Sequence, residues 1–213
     1  MDETTSREKV LKKVRNALIS KNENPYSAID IDSPIHKEIE DTPDITFAQE
    51  FTKVNGKFVY CENESELKEN LITLIGENGW SNVFCREPGI IKVLEEAGIP
   101  FKSDEDDFLS MDAGITYCEF LIARLGSIMI SSKQASGRRL NVFPEHHIVI
   151  ANTSQIVPDI KDALIGMKER YGKNLPSLVS VITGPSRTAD IEKTLVMGAH
   201  GPKELYLFLI DNE

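Results

Sequence analysis

The chain has 213 residues with 24 Lys and Arg against 34 Asp and Glu, a formal net charge of −10 with histidine neutral. That length allows one domain with a small appendage and a real buried core, and the acidic balance excludes a surface built to coat nucleic acid. Cys61, Cys85 and Cys118 are widely spaced without a C-x-x-C pair, which signals neither a disulfide framework nor a metal or iron–sulfur site and fits a reducing compartment.

No apolar core follows a basic segment at the start, so no secretory signal is read there. The longest apolar runs, Phe120 to Ile130 and Leu205 to Ile210, are too short to span a bilayer. The expectation is a cytoplasmic protein. Ser6 to Ser20 sets Val10, Leu11, Val14, Ala17 and Leu18 on one helical face with basic residues around the other. This amphipathic helix either packs on its own domain or docks a partner or second subunit. Lys21 to Pro43 is rich in Asn, Asp, Ser and Pro and reads as a linker. The boundary falls near Asp44, giving a helix with linker over 1–43 and one domain over 44–213.

Within that domain Ile45 to Val54 places Phe47, Phe51 and Val54 on one face and ends at Gly56, and Lys57 to Cys61 is a short strand. Asn63 with Glu66 marks the start of a helix over Glu64 to Glu77, striped by Leu67, Leu71, Leu74 and Ile75. Val83 to Cys85 is a strand, Pro88 to Ala97 a helix stopped by Gly98, and Ile99 to Phe101 a further strand. The rhythm of strand, helix, strand predicts a parallel sheet with crossover helices.

After the acidic loop Ser103 to Asp107, Glu119 interrupts the apolar stretch Ile115 to Ile122. It is either at a surface or held by a cation such as Arg124, Arg138 or Arg139. Gly126 to Ser131 is a strand and Ser136 to Arg139 a polar loop, whose arginine pair is a solvated turn or a clamp for an anion. His146 and His147 adjoin a strand from His147 to Ala151, where neighbours face opposite ways and cannot easily chelate one metal. Val157 to Tyr171 is a helix with Ile160, Leu164 and Met167 inward, and Leu178 to Ile182 a strand.

That last strand leads into Thr183-Gly184-Pro185-Ser186-Arg187-Thr188-Ala189-Asp190, expected to open a short helix at the carboxyl edge of the sheet. Unpaired helix N–H groups, a glycine that admits a ligand, two hydroxyls and a guanidinium would suit a carboxylate or phosphate. The plain alternative is an ordinary turn in which Arg187 pairs with Asp190 or Glu192. A second glycine and proline turn, Gly198-Ala199-His200-Gly201-Pro202, follows. His200 is a turn histidine, an anion donor or a general acid or base.

Ile182 to Glu192 followed by Gly198 to Pro202 resembles the C-terminal signature of the LUD domain, the domain of the lactate utilization protein C (LutC/YkgG) family. Gly114-Ile115-Thr116 with Glu119, Gly126-Ser127-Ile128, Arg139-Leu140 and Pro144 with His146-His147-Ile148 are similar to it upstream. The resemblance implies a three-layer α/β/α fold with a mostly parallel sheet, of the NagB/RpiA/CoA-transferase-like kind. It also implies a component of a lactate utilization system, which oxidises L-lactate to pyruvate with iron–sulfur partner proteins (LutA/LutB-like), the clusters residing in those partners and no cofactor in this chain.

The proton-transfer candidates are Glu119 and His200. The ligand-binding candidates are Gly126, Ser127, Arg138, Arg139, Gly184, Ser186, Arg187, Thr188, Asp190 and Gly201, with no metal site. One departure stands out: where the family reads A-E-T-G-T, this chain reads Ala123-Arg124-Leu125-Gly126-Ser127, a charge reversal. Two further readings remain open, an independent enzyme acting on a nucleotide, CoA ester or phosphorylated metabolite, and a non-catalytic binding module.

Overall fold

A computed structural model of the chain describes residues 5–19, 39–189 and 195–211. The chain divides into two units, Met1–Glu38 and Ile39–Glu213. The first contains helix α1 (Ser6–Ile19). Its start is a reciprocal cap, with the Glu8 N–H donating to Thr5 Oγ1 at 3.3 Å and the Thr5 N–H to Glu8 Oε2 at 2.8 Å. The linker expected over 21–43 falls mostly outside the described residues.

The second unit runs α2 (Pro43–Lys53), β1 (Lys57–Cys61), α3 (Glu64–Asn78), β2 (Val83–Cys85), α4 (Pro88–Glu96), β3 (Ala113–Tyr117), β4 (Phe120–Ile122), β5 (Ser127–Ser131), β6 (His146–Asn152), β7 (Ile156–Val157), α5 (Ile160–Tyr171), β8 (Val179–Ile182), β9 (Arg187–Ala189), β10 (Leu195–Met197) and β11 (Glu204–Ile210). Five strands in the order β1-β11-β6-β3-β2 form the central sheet, and every pair in it is parallel. Because both faces of such a sheet are covered, its middle strands read as unbroken apolar runs, Leu205 to Leu209 in β11 and Ile148 to Ala151 in β6.

On one face, Leu67, Leu71 and Ile75 of α3 and Ile90, Val93 and Leu94 of α4 pack on Ile115, Ile148, Ile150 and Phe208. Asn63 caps α3 as its spacing to Glu66 predicts, and Gly79 closes it at a left-handed φ of 65°. On the other face, Val149, Ala151, Leu205, Leu207 and Leu209 meet Phe47 and Phe51 of α2 together with Leu121, Ile128 and Ile130 from a small second sheet. That sheet has the order β7-β4-β5-β8, and Ala163 and Met167 of α5 cover its outer side against Phe120, Ile122 and Met129. The result is the mixed α/β fold expected, three layers with a mostly parallel central sheet and helices on both sides.

Three elements differ from the sequence expectations. Ile99 to Phe101 forms no strand; the only ladder contact there is a parallel bridge between Phe84 and Lys102. Helix α5 begins at Ile160 rather than Val157, because Asp159 caps it and Val157 belongs to β7. Its buried face is Ala163 and Met167, whereas Ile160 and Leu164 are exposed. Gly166 explains the rotation: a Cβ there would lie 2.5 Å from the Phe120 ring, so the small residues are where helix and sheet approach.

The third difference is the segment after Gly184. Among its described residues there is no helix; β9 pairs antiparallel with β10, Thr188 opposite Val196 and Arg187 opposite Met197. The N–H groups that a helix start would leave free are instead used between chain segments.

Candidate functional site

Strand β8 belongs to the small sheet, where it runs antiparallel to β5, and is not a strand of the parallel sheet. The turn lies instead against the end of α2. Gly184 has φ of 70°, and a Cβ on it would sit 2.2 Å from the Val54 carbonyl oxygen. The Arg187 guanidinium donates to that same oxygen. Gly126, at φ of 55°, faces the previous turn of the same helix, where a Cβ would meet the Phe51 nitrogen at 2.2 Å. Both glycines are thus required for the approach of backbone belonging to the protein itself. Ser127 is fully buried between them, its Oγ 2.8 Å from Thr183 Oγ1 and donating to the Leu125 carbonyl at 3.2 Å.

The two glycine and proline turns form one structure. The Ser186 N–H donates to the Pro202 carbonyl at 2.8 Å, the Gly198 N–H donates to the Ser186 carbonyl at 3.0 Å, and Gly201 lies against the Ser186 side chain. Arg187 and His200 are both exposed on this paired turn, and Thr188 lies in the adjoining ladder. Asp190 lies outside the described residues. The pair sits at the amino edge of the parallel sheet, because Val54 just precedes β1 and Pro202 just precedes β11. The expected placement at the carboxyl edge is therefore corrected: the turn follows a strand of the second sheet, whose direction is not set by the parallel one.

Other candidates lie elsewhere. Glu119 is buried, and its carboxylate accepts from Ser131 Oγ at 2.5 Å, Arg170 Nη1 at 2.5 Å and the Tyr171 hydroxyl at 2.7 Å. The cations expected beside it have other partners: Arg124 donates to Asp159 at 2.8 Å, Arg138 to the Ser177 hydroxyl at 2.6 Å, and Arg139 to Glu105. Arg139 also lies over the Phe108 ring at 4.2 Å. The arginine pair thus reaches Ser177 and Glu105, not the Gly184 turn. Arg124 anchors the residue that caps α5.

The two histidines do face opposite ways. His147 is fully buried with Nε2 2.9 Å from Thr116 Oγ1, and burial pushes its pKa down to about 4. His146 lies tilted against Trp80, ring centroids 4.6 Å apart, and places Nδ1 3.0 Å from Glu204. The three cysteines are buried thiols, and burial pushes Cys85 up to about 12. Among the described residues no group of three or more His, Cys, Asp or Glu is arranged to hold a metal ion, and no helix is long and apolar enough to cross a membrane.

The carboxyl edge of the central sheet carries something the sequence reading missed. At the ends of β1, β6 and β11 lies a cleft of about 650 Å³ lined by Tyr60, Glu62, Asn63, Glu64, Asn152, Ile210 and Asp211. A second cavity of about 300 Å³ shares Tyr60 and Asp211 and adds Pro43, Asp44, Thr153 and Ile156. The Tyr60 hydroxyl donates to Asp211 at 2.6 Å. None of the residues picked from the sequence lines either space. Their signal was positional, since Glu62, Asn63 and Asp211 directly follow parallel strands and Asn152 ends one, where open α/β sheets bind ligands.

Comparison with known proteins places this geometry. A family model described as the LUD domain matches residues 46–210. YkgG of Escherichia coli (strain K12) is 36% identical over 169 residues, covering 71% of this chain and 73% of that protein. Lactate utilization protein C of Geobacillus sp. (strain WCH70) is 30% identical over 167 residues, covering 68% and 69%. Lactate utilization protein C 1 of Bacillus mycoides (strain KBAB4) is 34% identical over 119 residues, 54% of this chain and 51% of that protein, so the match spans about half of that relative's length. A crystal structure of a DUF162 family protein from Deinococcus radiodurans shares the fold, with a TM-score of 0.60 and 19% identity, covering 79% of this chain and 96% of that one.

Proposed function

Because this chain belongs to the LUD domain family, we propose that it works as a component of a lactate utilization system. The observation that carries this reading is the match to a protein named lactate utilization protein C over 68% of this chain. In such a system L-lactate loses two electrons and two protons to give pyruvate. The electrons leave through iron–sulfur clusters in partner proteins (LutA/LutB-like), and this chain binds a partner or the small carboxylate.

The paired turn at the amino edge is the place for that carboxylate. Its support is chemical: Arg187 and His200 are exposed on turns tied to each other by the Ser186 and Gly198 N–H groups, and a guanidinium and an imidazole are each suited to the carboxylate of a hydroxy acid or its oxidised product. One N–H of Arg187 is spent on Val54, which fixes the direction of the guanidinium.

The test is genetic and biochemical. Deleting the gene from its host is expected to abolish growth on L-lactate while leaving growth on glucose intact, and the tagged chain is expected to co-purify with an iron–sulfur protein. Normal growth on lactate together with no such association would overturn the reading.

A further inference from the structure

We propose that residues 132–145, the connection between β5 and β6, form a strap that opens to uncover His147. The segment has neither helix nor strand, only turns and bends. Connections of that length without regular structure are uncommon in compact domains and tend to be lids or binding loops. The sheet beneath fixes where the strap lies. Register sets Phe84, Gly114 and His147 side by side across β2, β3 and β6, and a Cβ on Gly114 would lie 2.9 Å from both Leu140 and Pro144. The strap therefore rests in the gap left by a missing side chain, and His147 beside that gap is 0% exposed.

The cover is marked as removable by the polar atoms it leaves unpaired. Among the described residues, the buried side-chain nitrogen and oxygen atoms without a hydrogen-bond partner are Ser136 Oγ, Asn141 Oδ1 and His147 Nδ1. Two are on the strap and one is under it. Buried polar groups are normally paired, and each exception raises the free energy of the state that holds it. Opening returns all three atoms to water, so the closed strap carries a penalty that the open one does not.

The fastenings are few. At the near end the Ser132 N–H donates to the Leu178 carbonyl at 3.0 Å and Gln134 Nε2 to the Tyr117 carbonyl at 2.6 Å; at the far end the Glu145 carbonyl accepts from the Lys203 N–H at 2.8 Å. Between them the backbone bonds stay within the strap, Gly137 donating to Gln134 and both Val142 and Phe143 to Arg139, and Asn141 Nδ2 donates to the Gly137 carbonyl. The body is reached by the Ser136 N–H on Glu87 at 2.9 Å and by two exposed arginines, Arg138 on Ser177 and Arg139 on Glu105. Surface pairs of that kind hold weakly. The main anchor is apolar: Leu140 packs among Phe84, Phe108 and Met111, and the Phe143 ring leans on Phe108. Gly137, at φ of 65° with open space around it, supplies a hinge. The tip, Val142 and Phe143, is exposed and adjoins the paired turn, since the Val142 carbonyl lies 4.0 Å from where a Cβ of Gly201 would be. Lifting it uncovers an imidazole with Nε2 held by Thr116 and Nδ1 free. This motion does not depend on the lactate reading.

The test is carbethoxylation of the full chain by diethyl pyrocarbonate, which modifies neutral imidazoles that solvent reaches, with each modified histidine located by tandem mass spectrometry. His200, exposed on the paired turn, is the reference. His147 is expected to react more slowly than His200, at a rate that stays flat as urea is raised below the unfolding transition, because a local opening exposes little surface. Leu140→Ala is expected to raise the His147 rate about tenfold by loosening the anchor. Ser136→Ala, which removes one unpartnered atom and keeps the backbone bond to Glu87, is expected to lower it about threefold, with His200 unchanged in both. No reaction at His147, a rate that climbs with urea in step with global unfolding, or a rate that neither variant moves overturns the proposal. If circular dichroism shows Leu140→Ala to be unfolded, Ser136→Ala alone decides.

Discussion

At Gly126 and Gly184 an added methyl group would strike backbone rather than a movable side chain. Each also holds a left-handed φ that an L-residue adopts with strain. Alanine at either position is expected to cost about 2–4 kcal/mol, read as a lowered midpoint in urea denaturation. Gly79, also at positive φ but with open space around it, is the comparison; alanine there should cost only about 1 kcal/mol. Glu119 makes the same point with charge. Its carboxylate has three donors in a buried setting, so Glu119→Ala removes the acceptor shared by Ser131, Arg170 and Tyr171 and is expected to destabilise by roughly 3 kcal/mol. Activity lost in that variant must therefore be corrected for the fraction unfolded before any proton-transfer role is assigned to it.

His147 supplies a pH prediction. Its folded-state pKa, about 4, lies below the ordinary value of 6.5 because burial disfavours the charged ring. The unfolded chain therefore takes up a proton that the folded one refuses. The stability associated with the neutral ring is complete above about 6.5 and is lost as pH falls from there toward 4, roughly 2 kcal/mol by pH 5. Urea midpoints at pH 7 and pH 5 check this. His147→Gln should lower stability at pH 7 yet narrow the difference between the two values. If the difference is as wide in the variant as in the wild type, carboxylate titration sets it instead.

Among elements, α2 depends on its neighbours for its ending. Its last turn is met by Gly126, while the Val54 carbonyl just beyond it accepts from Arg187. A charged donor at a helix carboxyl end stabilises both the exposed carbonyl and the dipole. Arg187→Ala is expected to cost about 1–2 kcal/mol, with faster amide exchange confined to α2 and the paired turn. Helix α5 is fixed at its other end. Asp159 caps it and also takes the Arg124 side chain, so Asp159→Ala should remove about 1 kcal/mol, and Arg124→Glu should repel Asp159. That repulsion is the physical reason a charge reversal at position 124 alone would destabilise this chain.

On the scale of the whole molecule, the strands of the central sheet separate two chemistries. The paired turn with Arg187 and His200 lies at the amino ends, and the carboxylate-lined cleft at the carboxyl ends. Alternation of apolar runs with capped helices made the strands β1, β2 and β6 and the helices α2, α3 and α4 legible, because each such element is specified by its own spacing, caps and breakers. The same local rules failed where residues outside the segment decide. Thr188 and its neighbours form a ladder rather than a helix because β10 supplies their partner, and Leu164 points outward because Gly166 and Ala163 fit the small sheet better.

The sequence by itself determined the parallel α/β core, the family of the domain, the opposed faces of His146 and His147, and which segments are polar turns, since these follow from residue type at fixed spacing. Only the tertiary structure decided where the turns lie. Strand β8 belongs to the small sheet and not to the parallel one, and the bonds of the turn that follows it to Pro202 and Val54 hold the arginine turn at the amino edge, leaving Glu62, Glu64 and Asp211 at the carboxyl edge. Strand direction and sheet membership arise from pairing between residues far apart in the chain, such as Ile128 with Ile182, and no local pattern records them.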